Sequence, residues 1–178
     1  EYGDQLLEVQ STTRRYNITL EEADEALSTV RSGMATARLR SAEAAKGIAN
    51  FIVPLSRLGI DAQTSMEAMN SLMVTLGQTQ EEAEGTTHRM ISLAGALGKP
   101  PKEMIKEFNA AMPQLAVHGK NAEKVFVGMQ KTAAATGVEM KMLIGIAEGF
   151  DTFEDAGRKV GQLNAVLGGA FFNSMEMI

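Results

Sequence analysis

Apolar residues recur at intervals of three and four along most of the chain, the spacing that places side chains on one face of an α-helix. Leu20, Ala23, Leu27 and Val30 form one such stripe, which stops near Gly33. A second uses Ala44, Ile48, Ile52, Leu55 and Leu58 before Gly59, with Pro54 placed to kink or split it because its ring removes a backbone donor and crowds the preceding turn. Met66, Met69, Met73 and Leu76 make a seam that ends at Gly77, and Met90, Ala94 and Leu97 run to Gly98. Met104, Ile105 and Phe108 follow the "KPPKE" break, whose prolines suit a first helical turn, and Pro113 is placed to end or kink that segment. Val125, Met129 and Ala133 lead to Gly137; Met140, Leu143, Ile144 and Ala147 lead to Gly149; Phe153, Ala156, Val160, Leu163 and Leu167 lead to Gly168. Strict two-residue alternation is absent, so the pattern predicts an all-α fold of eight to ten short helices.

The breaks share one residue type. Gly59, Gly77, Gly98, Gly119 and Gly137 stand 18, 21, 21 and 18 residues apart, each followed within a few positions by a polar residue able to start a helix. A glycine just past a helix end can take the left-handed conformation that other side chains resist. The residues between these glycines match poorly, so the spacing predicts a bundle or sinuous array of short helices with Gly/Pro turns, not a solenoid of true repeats. Residues 1–40 read as N-terminal helices connecting from upstream chain, and 41–178 as the helical module. The start at Glu1 and the stop at Ile178 within an apolar pattern are expected to reflect missing flanks.

One acidic phrase occurs three times: "TLEEA" from Thr19 to Ala23, "TQEEA" from Thr79 to Ala83 and "TFEDA" from Thr152 to Ala156. Paired carboxylates can serve acid/base or metal chemistry. Yet each copy opens an apolar-periodic run, and threonine followed three residues later by Glu is the capping box, in which each side chain bonds an otherwise orphaned backbone donor. The carboxylates also sit at the positive end of the helix dipole. The phrase therefore predicts helix starts, with Asp155 making a shorter-reaching third copy.

Composition narrows the rest. Aromatic residues make up 5% of the chain with no Trp, while methionine numbers 12, so the core must come from Ala, Leu, Ile, Val and adaptable Met. A net charge of −5 without long basic runs disfavours a nucleic-acid surface. The absence of cysteine removes disulfides, thiolate metal sites and cysteine nucleophiles from this segment. The longest apolar stretch, Gly47 to Gly59, carries Pro54 and falls short of the roughly 20 residues that span a bilayer.

Other candidate chemistry is sparse. His88 and His118 lie far apart, and neither is followed three or four residues later by a His or carboxylate that would make a helical ligand pair. "GALGKP" from Gly95 to Pro100 lacks P-loop spacing and its terminal Ser/Thr. Glu103 and Glu107 would oppose phosphate on any reading helix after "KPPK". The seam of Met66, Met69 and Met73 is the best candidate for a partner surface, weighed against core packing. No catalytic, cofactor-binding or metal residue is assigned, and the reading is of a non-enzyme without cofactors.

The C-terminal third carries "ATGVEM" at Ala135 to Met140, "GFDTFEDA" at Gly149 to Ala156 and "LNAVLGGAFFNSMEM" from Leu163 to Met177. With "RRYNITLEEADEAL" from Arg14 and "AMPQLAVHGKNAEKVF" from Ala111, these phrases resemble the helical region of large virion proteins of tailed, myovirus-like bacteriophages, the tail tape measure proteins. The resemblance covers most of the chain, and its motifs are structural, so no functional residue is carried over. It implies a structural protein of the virion, made in the host cytoplasm. Such a protein occupies the tail lumen or tip, sets tail length and leaves during genome ejection. Its implied partners are tail tube and baseplate hub or tail tip proteins, in a homo-oligomer with threefold symmetry favoured over sixfold. One departure is the break every 20 residues or so, which an extended rod would not accept, so a folded module docked at one end of the tail is expected. The alternative is a soluble helical adaptor or assembly protein that binds a partner through the Met-rich helix face.

Overall fold

The computed structural model of the chain describes residues 2–34 and 41–147, and these are helical without a β-strand among them. The elements are α1 (Tyr2–Thr13), α2 (Leu20–Met34), α3 (Ala42–Ile52), α4 (Ala62–Asn70), α5 (Gln80–Ala96), α6 (Pro101–Leu115), α7 (Ala122–Thr136) and α8 (Met140–Ala147). Short 3-10 turns at Arg14–Tyr16, Val53–Leu58 and Ala116–Asn121, and one π-helical turn at Ser71–Thr75, continue or join them. The all-α class is as the periodicity predicts. The expected count does not map element for element. The leading helix α1 has no stripe among those read above, and the segment from Phe153 to Leu167 lies outside the described residues.

Two compact units divide the chain, Glu1–Met112 and Pro113–Ile178, so the expected boundary at 40/41 falls inside the first. In that unit α2 is central, packing on α1, α3 and α4, while α4 also meets α5. Its core side is the predicted stripe: Ala23, Leu27 and Val30 are fully buried. Ile48 and Ile52 of α3, Ile60, Met69 of α4, Met90 of α5, and Met104 and Phe108 of α6 complete the interior. The first two stripes each lose one member to solvent, however. Leu20 is 48% exposed and Leu58 47% exposed, because both stand at the outer end of their segments.

All five rhythmic glycines have positive φ, from 51° at Gly119 to 78° at Gly59. At Gly59 the N–H donates to the Ser56 carbonyl at 2.9 Å, closing the 3-10 turn that Pro54 begins where α3 stops. Pro113 behaves less decisively. It lies in the last turn of α6, which continues to Leu115 before a 3-10 turn follows.

The methionine seam is broken by the π-helical turn. There the Leu76 N–H donates to the Ser71 carbonyl at 3.3 Å, five residues back, so the wider turn rotates the following side chains. Leu72 is buried instead of Met73, and Val74 is 56% exposed. Met66 and Met69 are buried within the core, 4% and 0% exposed, and do not form an open face.

Helix α2 ends at Met34, one residue past Gly33, where the stripe placed its end. A Cβ on Gly33 would lie 2.8 Å from Cγ of Met66, so the missing side chain lets α4 approach α2 closely. Gly47 of α3 is similarly close to Gln80, with Nε2 at 2.7 Å. The two differ in what must yield, an inner methylene of a buried side chain in one case and the tip of a half-buried amide in the other. Gly33→Ala is expected to lower stability by about 1–3 kcal/mol through overpacking. Gly47→Ala is expected to be neutral or to stabilise by up to about 1 kcal/mol, through helix propensity. Urea unfolding midpoints of the two variants check this, and equal midpoints would contradict it.

In the second unit α7 packs on the Ala116–Asn121 turn and on α8. The predicted α7 face of Val125, Met129 and Ala133 is only half-buried, whereas Ala122, Phe126 and Gln130 are buried. The face is offset by one position, about 100° of rotation. Phe126, the largest side chain there, sets the inward direction, and Gln130 one turn later follows it. Met140 and Leu143 of α8 are buried as predicted.

Candidate functional site

The repeated acidic phrase was the strongest candidate for chemistry, and the two copies within the described residues form capping boxes. At the start of α2 the Thr19 N–H donates to Glu22 Oε2 at 2.8 Å, and the Glu22 N–H donates to Thr19 Oγ1 at 3.2 Å. At the start of α5 the Thr79 N–H donates to Glu82 Oε2 at 2.8 Å, and the Glu82 N–H to Thr79 Oγ1 at 3.3 Å. Each box satisfies two backbone donors that a helix start otherwise leaves unpaired. The third copy, Thr152 to Ala156, lies outside the described residues.

Glu22 does a second job. Arg57, at the end of the Val53–Leu58 turn, donates from Nη1 to Glu22 Oε1 and from Nη2 to Glu22 Oε2, each at 2.7 Å. The same guanidinium donates from Nε to the Tyr16 carbonyl at 3.1 Å and from Nη2 to the Asn17 carbonyl at 2.6 Å. Asn17 takes a left-handed conformation, φ 58°, to turn the chain between α1 and α2, and Arg57 ties that corner to Glu22. The Thr19 N–H, and after it the Arg57 guanidinium, hold the Glu22 carboxyl below its ordinary value. This is the environment of a structural anion. A proton-transferring acid at neutral pH needs the opposite shift.

Asp61 organises the start of α4 in the same manner. It accepts the Thr64 N–H at 2.8 Å and the Thr64 hydroxyl at 3.0 Å, and the Lys102 ammonium of α6 lies 2.7 Å from Oδ2. Partial burial raises the Asp61 carboxyl, but Lys102 and the two Thr64 donors outweigh it and hold the group well below the ordinary carboxylate range. Folded-state pKa values below the unfolded ones of about 3.9 and 4.3 contribute stability above about pH 5, lost as pH falls toward the folded values. The melting temperature is therefore expected to drop progressively between about pH 5 and pH 3. Asp61→Asn, which keeps a capping oxygen without the charge, should flatten that slope; an unchanged slope would contradict the assignment.

The remaining candidates are scattered. His88 is exposed and lies edge-on to Phe51 with ring centroids 5.3 Å apart, and His118 is exposed in the turn before α7. No group of three or more His, Cys, Asp or Glu side chains suited to a metal ion occurs among the described residues. Glu103 is exposed, and Glu107 pairs with Lys99 at 2.6 Å, so the acidic residues after "KPPK" act locally. No helix among the described residues is long and apolar enough to cross a membrane.

Two shallow clefts mark the first unit. One, of about 250 Å³, lies between α2 and the α3–α4 connection and is bordered by Glu22, Glu25, Ser56 and Asp61 over Ile52 and Ile60. The other, of about 290 Å³, lies beside the Gly33–Met66 crossing and is bordered by Ser32, Gln63 and Asn70. The serine hydroxyls at their borders donate to backbone carbonyls of their own segments, Ser56 to Val53 at 2.8 Å and Ser32 to Thr29 at 3.0 Å.

Of the polar residues that organise the unit, Asp61 had a readable signal, Asp followed by a helical run with Thr at the third helical position. Arg57 had none, since its partners lie 35 to 41 residues away. Comparison with protein-family models, curated proteins and solved structures finds no match to this chain.

Proposed function

We propose that this chain is a structural module of a bacteriophage tail, a tape-measure-like segment that occupies the tail tube or tip, contributes to tail length and is released during genome ejection. The reading starts from the phrases at Arg14 to Leu27, Ala111 to Phe126 and Ala135 to Met177 that resemble tape measure proteins. The observation that carries it furthest is the use of the acidic phrase: at Thr19 and Thr79 the carboxylates bond backbone amides, the work of a scaffold and not of a reaction centre. Short capped helices built on Ala and Met also suit a module that must pack and later come apart, because small units with modest individual stability open separately. On this reading the protein has no enzymatic role, and its partners are copies of itself and the tail tube and hub proteins.

The adaptor alternative relied on a Met-rich face, and Met66 and Met69 lie buried in the first unit. The virion reading is tested by cross-linking mass spectrometry on purified particles of the phage that encodes the chain. Cross-links from its lysines to tail tube or hub proteins are the expected result. Absence from washed particles, with the chain recovered free in the lysate, would overturn the proposal.

A further inference from the structure

Three exposed large apolar side chains belong to segments that Arg57 ties together. Its bonds to the Tyr16 and Asn17 carbonyls and to Glu22 hold the end of the Val53–Leu58 turn against the α1–α2 corner. There Tyr16, Leu20 and Leu58 remain 40%, 48% and 47% exposed. Leu20 and Leu58 belong to stripes whose inner members are fully covered, so their exposure is a property of this corner. Tyrosine, arginine and aliphatic side chains gathered around a satisfied polar node are the makings of an interface centre.

The charge around that centre is of both signs and is unspent. Arg14 and Arg15 are exposed on the turn before α2, Arg15 lying over the Tyr16 ring at 4.7 Å. Glu21 and Glu25 are exposed one turn apart on α2. None of the four forms an ion pair among the described residues. Glu25 also borders the cleft of about 250 Å³, whose floor includes Ile52, Val53 and Ile60. A cleft with an apolar floor and a free carboxylate at its rim suits an arginine, which lays its stem on apolar surface while its head meets the acid.

Along the chain Arg14 and Arg15 precede Tyr16, with Arg15 over its ring, and Glu21 and Glu25 follow Leu20 toward the cleft; that order, basic then apolar then acidic, complements itself when two copies meet about a two-fold axis. We infer that this corner is a self-association surface on which a second copy of the chain docks, Arg14 and Arg15 of each copy facing Glu21 and Glu25 of the other across Tyr16, Leu20 and Leu58. The inference stands independently of the tail reading. The seven residues named are few against the roughly 20–30 a side of a stable complex, so the dimer is weak, with dissociation in the micromolar range or above on an order-of-magnitude scale.

The test is sedimentation velocity of the chain at up to about 0.1 mM in low salt, where surface charges are least screened. Dimer is expected, and Leu58→Glu should abolish it. Arg14→Glu/Arg15→Glu and Glu21→Arg/Glu25→Arg should each sediment as monomer with an unchanged helical circular dichroism spectrum. Mixed in equal amounts, the two charge-reversed variants should recover a dimer, because one set of contacts keeps its native signs and the other is restored with signs exchanged. A monomer at every concentration, a dimer insensitive to these changes, or failure of the mixture to associate would each overturn the inference. So would wild-type chain that stays monomeric but binds vesicles of phosphatidylcholine with phosphatidylserine, which would make the corner a lipid contact.

Discussion

Replacing Phe108 by alanine is expected to lower the unfolding free energy by about 3–5 kcal/mol, the range for removing a buried aromatic ring. Phe108 is fully buried, and Met104, Ile105, Ala111 and Met112 line the same inward face of α6. With only 5% aromatic residues the chain has few side chains that fill as much interior volume. Met104 and Met112 on that face can shift toward the gap. The cost should therefore lie nearer the lower end of the range, yet still form a large share of the roughly 5–15 kcal/mol that holds a domain folded. Phe108→Leu, which conserves most of the volume, should cost under about 1.5 kcal/mol. Equilibrium urea unfolding gives both values, and a Phe108→Ala loss below that of Phe108→Leu would be incompatible with this packing.

The second large effect separates two carboxylates that look alike in sequence. Glu22 and Glu82 occupy the same place in the same phrase, and each closes a capping box. Glu22 also accepts both arms of Arg57, which in turn holds the Tyr16 and Asn17 carbonyls. Losing half a cap costs about 1 kcal/mol. Loss of a bidentate, partly exposed ion pair adds up to about 1 kcal/mol. Glu22→Ala is thus expected to cost about 2 kcal/mol, roughly twice the cost of the cap alone. Arg57→Ala combined with Glu22→Ala should cost less than the sum of the single changes, since the two residues share one contact. Strict additivity in that double-mutant cycle would mean that the Arg57–Glu22 geometry contributes nothing.

These cases show which parts of the molecule sequence pattern can reach. Thr19, Thr79 and the five glycines act over three to five residues, so their roles are written locally: a hydroxyl and a carboxylate three apart, or a missing Cβ after a helix. The stripe on α2 was readable for the same reason, since Ala23, Leu27 and Val30 repeat within one helix. Failures occur where a distant or non-additive effect decides. The π-helical turn at Ser71–Thr75 changes the rise and rotation that any regular period assumes, which moves Leu72 inward in place of Met73. On α7 the buried face includes Gln130, a polar residue that an apolar template passes over. Gly33 reads as a stop signal and α2 does end beside it, at Met34, but its closeness to Met66 depends on α4. Arg57 is invisible to any window shorter than the whole corner it joins.

The candidate site divides in the same way. The capping meaning of the acidic phrase was legible because helix termini impose it, and Asp61 follows that grammar. Its clasp with Lys102 was not, because two helices intervene in the sequence between the residues of that pair. The exposed Tyr16, Leu20 and Leu58 were also hidden, because exposure depends on which helix ends meet.

The central claim is that the repeated acidic phrase serves the backbone, not a substrate or metal ion. It is tested most directly by following the glutamate carboxyl 13C resonances by NMR through a pH titration, with and without Mg2+ and Zn2+. Glu22 is expected to titrate below the ordinary glutamate range and to keep its chemical shift when metal is added, with Glu82 also unmoved by metal. A Glu22 carboxyl that titrates above that range, or a Glu22 or Glu82 carboxyl that shifts on metal addition, would contradict the account and return the phrase to the list of possible reaction sites.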